Sequence, residues 1–206
     1  MVTASLLLVS GCATAPVEEP AAVPSPSPSA TEEPATSSLP AIEVPITSGS
    51  IENQSQPPAA PTQVIMPSTG IDMSVVSVGV DNRNYMEIPE SVREAGWYKF
   101  GPGPESAEGA TVLAAHVDFP GQGVGPFANL RDAQVGAEIS VVDEAGVTHN
   151  YRVVTVERIP KAEVALDQVF TKDGAPTLVL ITCGGSFDRN AGSYSDNYIV
   201  TAEKVS

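Results

Sequence analysis

Residues 178–185 read Leu-Val-Leu-Ile-Thr-Cys-Gly-Gly. Four consecutive apolar residues followed by threonine predict a buried strand, and the paired glycines mark its exit. A strand is a rigid mount for the Cys183 thiol, and residues without a side chain let a substrate backbone approach the sulfur closely. Sixty-seven residues earlier a second apolar run, Ala110-Thr-Val-Leu-Ala-Ala-His116-Val-Asp118, carries a histidine at its end. The chain has two cysteines and two histidines, so few nucleophile–base pairings are available. Cys183 is a candidate nucleophile with His116 as its acid–base partner. The alternatives are a buried structural cysteine, since a free thiol packs as a small hydrophobe, and a core histidine at a strand end.

Working outward, the other runs also favour strands. Gln63-Val-Ile-Met-Pro, Met73 to Val80, Glu138 to Asp143, His149 to Glu157 and Asn197 to Ala202 are rich in β-branched residues, and several alternate apolar with polar. Asp143-Glu-Ala-Gly146 predicts a hairpin loop. Short helices are expected around 91–95, 126–133 and 162–170. His149, between Thr148 and Asn150, is expected to be a solvated loop residue. Many closely spaced strands predict an all-β barrel or sandwich.

The N-terminal part differs in composition. Residues 1–12 end Leu6-Leu-Leu-Val-Ser-Gly-Cys12, an apolar stretch too short to span a bilayer followed by small residues and a cysteine. The pattern is similar to a bacterial lipobox, which would place a diacylglycerol thioether on Cys12. The alternative is an ordinary signal peptide with an accidental cysteine. No Lys or Arg precedes Arg83, unlike the positive n-region of secretory leaders. Residues 13–62 are dominated by Pro, Ala, Ser, Thr and Glu; eleven of the chain's 19 prolines lie in residues 1–62. Such a stretch cannot bury enough apolar surface to offset its ordering entropy, which predicts a disordered tether.

Residues 63–206 are long enough for one folded domain. The formal charge of the chain is −15, and this domain carries 19 acidic against 10 basic residues. An acidic surface argues against nucleic acid and against direct attraction to anionic lipid, leaving a lipid anchor as the expected membrane contact. One cysteine and two distant histidines make no zinc site, and the acidic pairs are too scattered for calcium. No metal or cofactor is expected.

The Ala-His116-Val-Asp element and the Leu-Ile-Thr-Cys183 element, in this order, resemble a sortase. Met86-Glu-Ile-Pro-Glu, Gly96-Trp-Tyr-Lys-Phe-Gly101, Cys183-Gly-Gly-Ser-Phe-Asp188 and Tyr194-Ser-Asp-Asn197 resemble the class F sortases of actinobacteria. The resemblance covers residues 63–206. It implies an eight-stranded β-barrel and cysteine transpeptidation outside the membrane. The substrates implied are surface proteins bearing a Leu-Pro-x-Thr-Gly-like sorting signal, with a cell-wall or pilin amine as acceptor. In that chemistry Cys183 forms a thioester and His116 serves as acid, then base. Sortases also use an arginine near the cysteine, and here the chain departs from the pattern, with Asp196-Asn197 before the last strand. Arg189 is the one arginine after Cys183 and is the candidate for that role. Asn197 and the backbone amides at Gly184 and Gly185 are the alternatives, with Gly184 and Asn197 expected to contact substrate. Two other functions stay open: a hydrolytic thiol enzyme, and a non-catalytic sortase-like surface domain.

Overall fold

The computed structural model describes residues 57–205. The expectations for Cys12, and for the tether up to residue 56, lie outside the described residues. Ten strands follow one another: β1 (Pro61–Met66), β2 (Ile71–Val78), β3 (Glu94–Tyr98), β4 (Ala110–Ala114), β5 (Asp118–Phe119), β6 (Gly123–Val124), β7 (Glu138–Asp143), β8 (Thr148–Pro160), β9 (Thr177–Asp188) and β10 (Ser193–Lys204). Eight of them close into a barrel in the order β1-β2-β3-β4-β9-β10-β8-β7, while β5 and β6 form a separate two-stranded ribbon. The β2–β3 and β4–β9 pairs are parallel and the remaining barrel pairs antiparallel. Closure leaves no unpaired sheet edge in the barrel.

Side-chain alternation explains why the 178–181 run is apolar without a break. Leu178 and Leu180 point into the barrel with Leu113, Tyr151 and Val200. Val179 and Ile181 point outward, where Ala110, Val112 and Ile199 join them under Tyr98, Val164, Val169 and Phe170. The cover comes largely from the β8–β9 connection, which holds a 3₁₀ turn at Lys161–Glu163 and one turn of α-helix, α1 (Leu166–Val169). Strands β4, β9 and β10 are therefore apolar on both faces, which is what a doubly covered strand requires. Inside, Trp97 Nε1 donates to Pro102 O at 3.1 Å and Tyr151 Oη to Pro104 O at 3.0 Å, so the large aromatic residues of the core keep their polar atoms paired. Burial holds the Tyr151 phenol up to about 12.

Three expectations change. The 91–95 helix is absent: Glu94 already belongs to β3, parallel to β2. Gly96 permits this, since a Cβ there would sit 3.0 Å from both Val78 methyls, so the two strands approach through it. The fold also begins earlier than residue 63. Pro61 is buried in β1, and the Ala59 amide donates to Glu105 Oε1 at 2.6 Å. Finally, His149 is buried on β8, its Nε2 2.8 Å from Asp143 Oδ2. Asp143 Oδ1 accepts the Ala145 and Val147 amides, both at 2.9 Å. One carboxylate thus shapes the hairpin turn and binds the imidazole. The bond to His149, with the two amides, holds the Asp143 carboxyl below its usual range despite burial. The other expected helices appear, as a 3₁₀ segment at Pro126–Asp132 and as the short turns of residues 161–169.

Candidate active site

Cys183 sits on β9 in register with Asn197 of β10, which in turn faces Ile159 of β8. Residues so paired share a sheet face, and here it is the outer one. The thiol is half-buried and unpaired. His116 follows β4 directly. Two hydrogen bonds tie its approach to that of the cysteine: the Ala115 amide donates to Ile181 O at 3.2 Å, and Thr182 Oγ1 donates to Ala115 O at 2.8 Å. The residue before His116 is thereby locked to the residue before Cys183. Behind it, the Gly125 amide donates to Val117 O at 2.9 Å. A Cβ at Gly125 would lie 2.8 Å from Val92 O and 3.0 Å from His116 O, so only glycine allows this close support.

The two side chains line one groove of about 820 Å³. Its walls are mainly apolar: Met86 and Ile88 from the segment after β2, Tyr98 from β3, and Val164, Leu166 and Phe170 from the β8–β9 connection. Asn197 and Lys161 add polar groups, and Arg83 and Tyr85 stand at the β2–β3 end. Burial lowers the His116 pKa below the usual histidine value, with the nearby Asp118 carboxylate opposing that shift. The ring packs near Phe119, centroids 5.2 Å apart. An imidazole in this state is neutral at pH 7 and can take a proton from a thiol.

A second, smaller and more polar cavity of about 410 Å³ reaches Cys183 from the end of the barrel. Asp118, Arg131, Arg158, Gly184, Gly185 and Tyr194 are among its lining residues. The Tyr194 hydroxyl donates to Asp118 Oδ2 at 2.6 Å, a bond that holds the phenol up to about 12. No hydrogen bond joins Asp118 to His116 among the described residues; the carboxylate acts on the ring through space. Arg158 Nε donates to Asp196 Oδ2, and the Asp196 carboxyl is held below its usual range by Ser195 and then by Arg158.

The expected residues separate into two groups. Cys183, His116 and Asn197 meet at the groove, and Gly184 lines the polar cavity. A Cβ on Gly184 would lie 2.5 Å from the Tyr198 ring, so its need for glycine is at least partly a packing need. Gly185 has φ +81°, and a Cβ there would collide with Ser195 Oγ. Arg189 is not brought to the site. It lies exposed in the turn between β9 and β10 and lines neither cavity. Asp188 Oδ1 accepts the amides of Asn190 and Ala191, at 2.8 and 3.3 Å, which closes the turn. Sequence reading missed Arg158. Its strand position gave no sign of it, because β8 becomes its neighbour's neighbour across β10 only in the closed sheet. Among the described residues no cluster of three His, Cys, Asp or Glu could hold a metal, and no helix is long and apolar enough to cross a membrane.

Comparison with solved structures gives the same barrel. Sortase C-1 from Actinomyces oris superposes with a TM-score of 0.52 at 20% identity, covering 70% of this chain and 73% of that one. A lid mutant of sortase A from Corynebacterium diphtheriae gives 0.54 at 17% identity, covering 74% and 73%. Pilus-related sortase C of Group B Streptococcus gives 0.52 at 15%, covering 72% and 68%. Comparison with curated proteins gives no match. The Sortase domain model matches residues 64–205, from β1 through the end of β10, and the chain therefore belongs to the sortase family.

Proposed function

We infer that the protein is a cysteine transpeptidase that cuts a C-terminal sorting signal of the Leu-Pro-x-Thr-Gly kind and joins the new acyl end to a cell-wall or pilin amine. The observation that carries this reading is the meeting of Cys183 and His116 in one apolar groove on a sortase barrel. An extended peptide laid in that groove would pass the sulfur. The neutral His116 imidazole takes the thiol proton, and the thiolate attacks the scissile carbonyl. The imidazolium then gives its proton to the departing amine, leaving a thioester on Cys183. Aminolysis of the thioester completes transfer.

Negative charge on the tetrahedral oxygen needs a donor. Asn197 is the candidate that the register supports, since it lies opposite Cys183 and lines the groove. The Gly184 and Gly185 amides are the backbone alternatives. The class F resemblance, the lipid on Cys12 and an extracytoplasmic location at the outer face of the membrane belong to the same proposal and rest on sequence. A non-catalytic or hydrolytic surface domain is the second reading, favoured by one observation: among the residues lining the groove the one arginine is Arg83, from the β2–β3 connection.

The decisive experiment incubates the full chain with a Leu-Pro-x-Thr-Gly peptide library and looks by mass spectrometry for an acyl adduct on Cys183. An adduct, with amide product formed on addition of an amine, is the expected result. Alkylation of Cys183 by a thiol reagent without any peptide adduct would favour the non-catalytic reading. An adduct lost only to water would favour the hydrolytic one.

A further inference from the structure

The apolar groove differs in charge from the rest of the domain. Residues 63–206 carry 19 acidic and 10 basic residues, yet among the described residues lining the groove there is no Asp or Glu. Its charged side chains, His116 aside, are Arg83 and Lys161. The two differ in what holds them. Arg83 Nε and Nη2 both donate to Asp81 Oδ2, at 3.0 and 2.8 Å, so that charge is met within the β2–β3 connection. Lys161 Nζ donates to Ser193 Oγ at 2.8 Å, and a hydroxyl cancels no charge. Among the described residues no carboxylate pairs with this ammonium. Two of its three donors remain for a ligand. Lys161 follows β8 directly. Ile159 pairs with Asn197, and Asn197 with Cys183, so the lysine leaves the sheet two residues beyond the row that carries the thiol. That row spans two strand spacings, roughly 10 Å. Ser193, which holds Nζ, also lines the groove. The thiol end of the groove thus has a polar border of Asn197, Ser193 and Lys161, while Tyr98, Val164 and Phe170 form an apolar wall beyond it.

We propose that Lys161 is a specificity-determining residue that makes the groove select a donor peptide with an acidic side chain at the open position x of its Leu-Pro-x-Thr-Gly-like signal. This rests on the transpeptidase reading of Cys183. With the threonine carbonyl at the sulfur and the Leu-Pro pair against the apolar wall, x falls at the border where Lys161 stands. A carboxylate turned to the apolar wall would lose water without gaining a partner, which is costly. Turned to Lys161, it meets an ammonium with donors to spare. The lysine is exposed, so water and salt screen the pair and the preference is modest in size.

The test mixes Leu-Pro-Glu-Thr-Gly and Leu-Pro-Gln-Thr-Gly peptides in equal amounts with the full chain and reads the two acyl adducts on Cys183 by mass spectrometry at early times. The side chains at x have the same shape and differ in charge. Both peptides compete for the same enzyme, so the adduct ratio cancels any change in folding or in the reactivity of the thiol. At low salt the glutamate adduct is expected to exceed the glutamine adduct by about fivefold, the upper end for one exposed ion pair. The ratio should shrink as ionic strength rises. Lys161→Gln should bring it to about one, Lys161→Glu should reverse it, and Lys161→Arg should keep it. A wild-type ratio near one, or a preference for glutamate that survives in Lys161→Gln, would overturn the proposal while leaving the transpeptidase reading intact. Absence of both adducts on the wild type would instead overturn that reading, and the proposal with it.

Discussion

The two histidines of this chain lie in opposite surroundings. His149 is sealed on β8 at 9% exposure and bound to a buried carboxylate that is itself held by two backbone amides. His116 stands half-buried in a groove wall, has no carboxylate within hydrogen-bond distance, and is pushed toward its neutral form by burial. A satisfied imidazole is a structural part, whereas one left with a free ring nitrogen beside a thiol is available for proton transfer. Under the transpeptidase reading, the difference separates a residue whose loss should harm the fold from one whose loss should harm turnover.

The largest effect that would break this contrast is catalytic. Cys183→Ala should abolish acyl transfer, and His116→Ala should lower it by about 10³-fold or more, because one side chain serves both proton transfers. Melting temperatures should stay close to the wild type in both, since neither site lies in the barrel interior. Turnover near wild type in either variant would remove the assignment.

His149→Ala should behave the other way round. It leaves Asp143 Oδ2 buried without its partner, at a cost of about 1–3 kcal/mol, while kcat/KM measured below the melting transition stays near the wild type. Thermal denaturation followed by circular dichroism checks the first half. The pH sign can also be worked out. The folded Asp143 pKa lies below its unfolded value of 3.8, so this carboxylate stabilises the fold above that value and ceases to do so as pH falls through the depressed one. The wild type should therefore lose stability on acidification in that range, and His149→Ala should lose less.

A finer test uses pH on catalysis. If neutral His116 is the working base of the free enzyme, the acid limb of kcat/KM should have its midpoint below 6.5. Asp118→Asn removes the one charge that raises the His116 pKa and should move that limb lower still. A limb unmoved by Asp118→Asn would show that the carboxylate does not act on the ring.

The smallest expected effects concern the oxyanion side. Asn197→Ala should slow thioester formation by roughly 10²-fold, within the range of losing one oxyanion donor. Arg189→Ala should change it by less than about threefold, consistent with an exposed turn position. The reverse order would show that the 188–193 turn folds over the site during reaction.

Much of this was legible in the chain. The unbroken Leu178–Ile181 run, the Gly-Gly exit after Cys183 and the histidine at the end of 110–118 marked a candidate nucleophile on a strand and a candidate base just past one, because alternation and residue type act locally. The barrel followed from many short strands that must hide their edges. What depended on distant contacts was not readable. Glu94–Tyr98 is a strand because Gly96 lets it lie against Val78, a relation no local propensity contains. His149 is buried because Asp143, six residues away, turns back beneath it; the pair spans a hairpin whose loop alone suggested solvent. Arg189 is near Cys183 in sequence yet lines neither cavity, lying exposed in the turn that Asp188 closes. Arg158 is distant in sequence yet lines a cavity with the thiol, since β10 brings β8 alongside β9. The sequence by itself determined which side chains could react and that Cys183 is carried on a strand. The tertiary structure decided which charges stand near the sulfur and which histidine is free, because strand order and turn closure depend on pairing across the whole barrel.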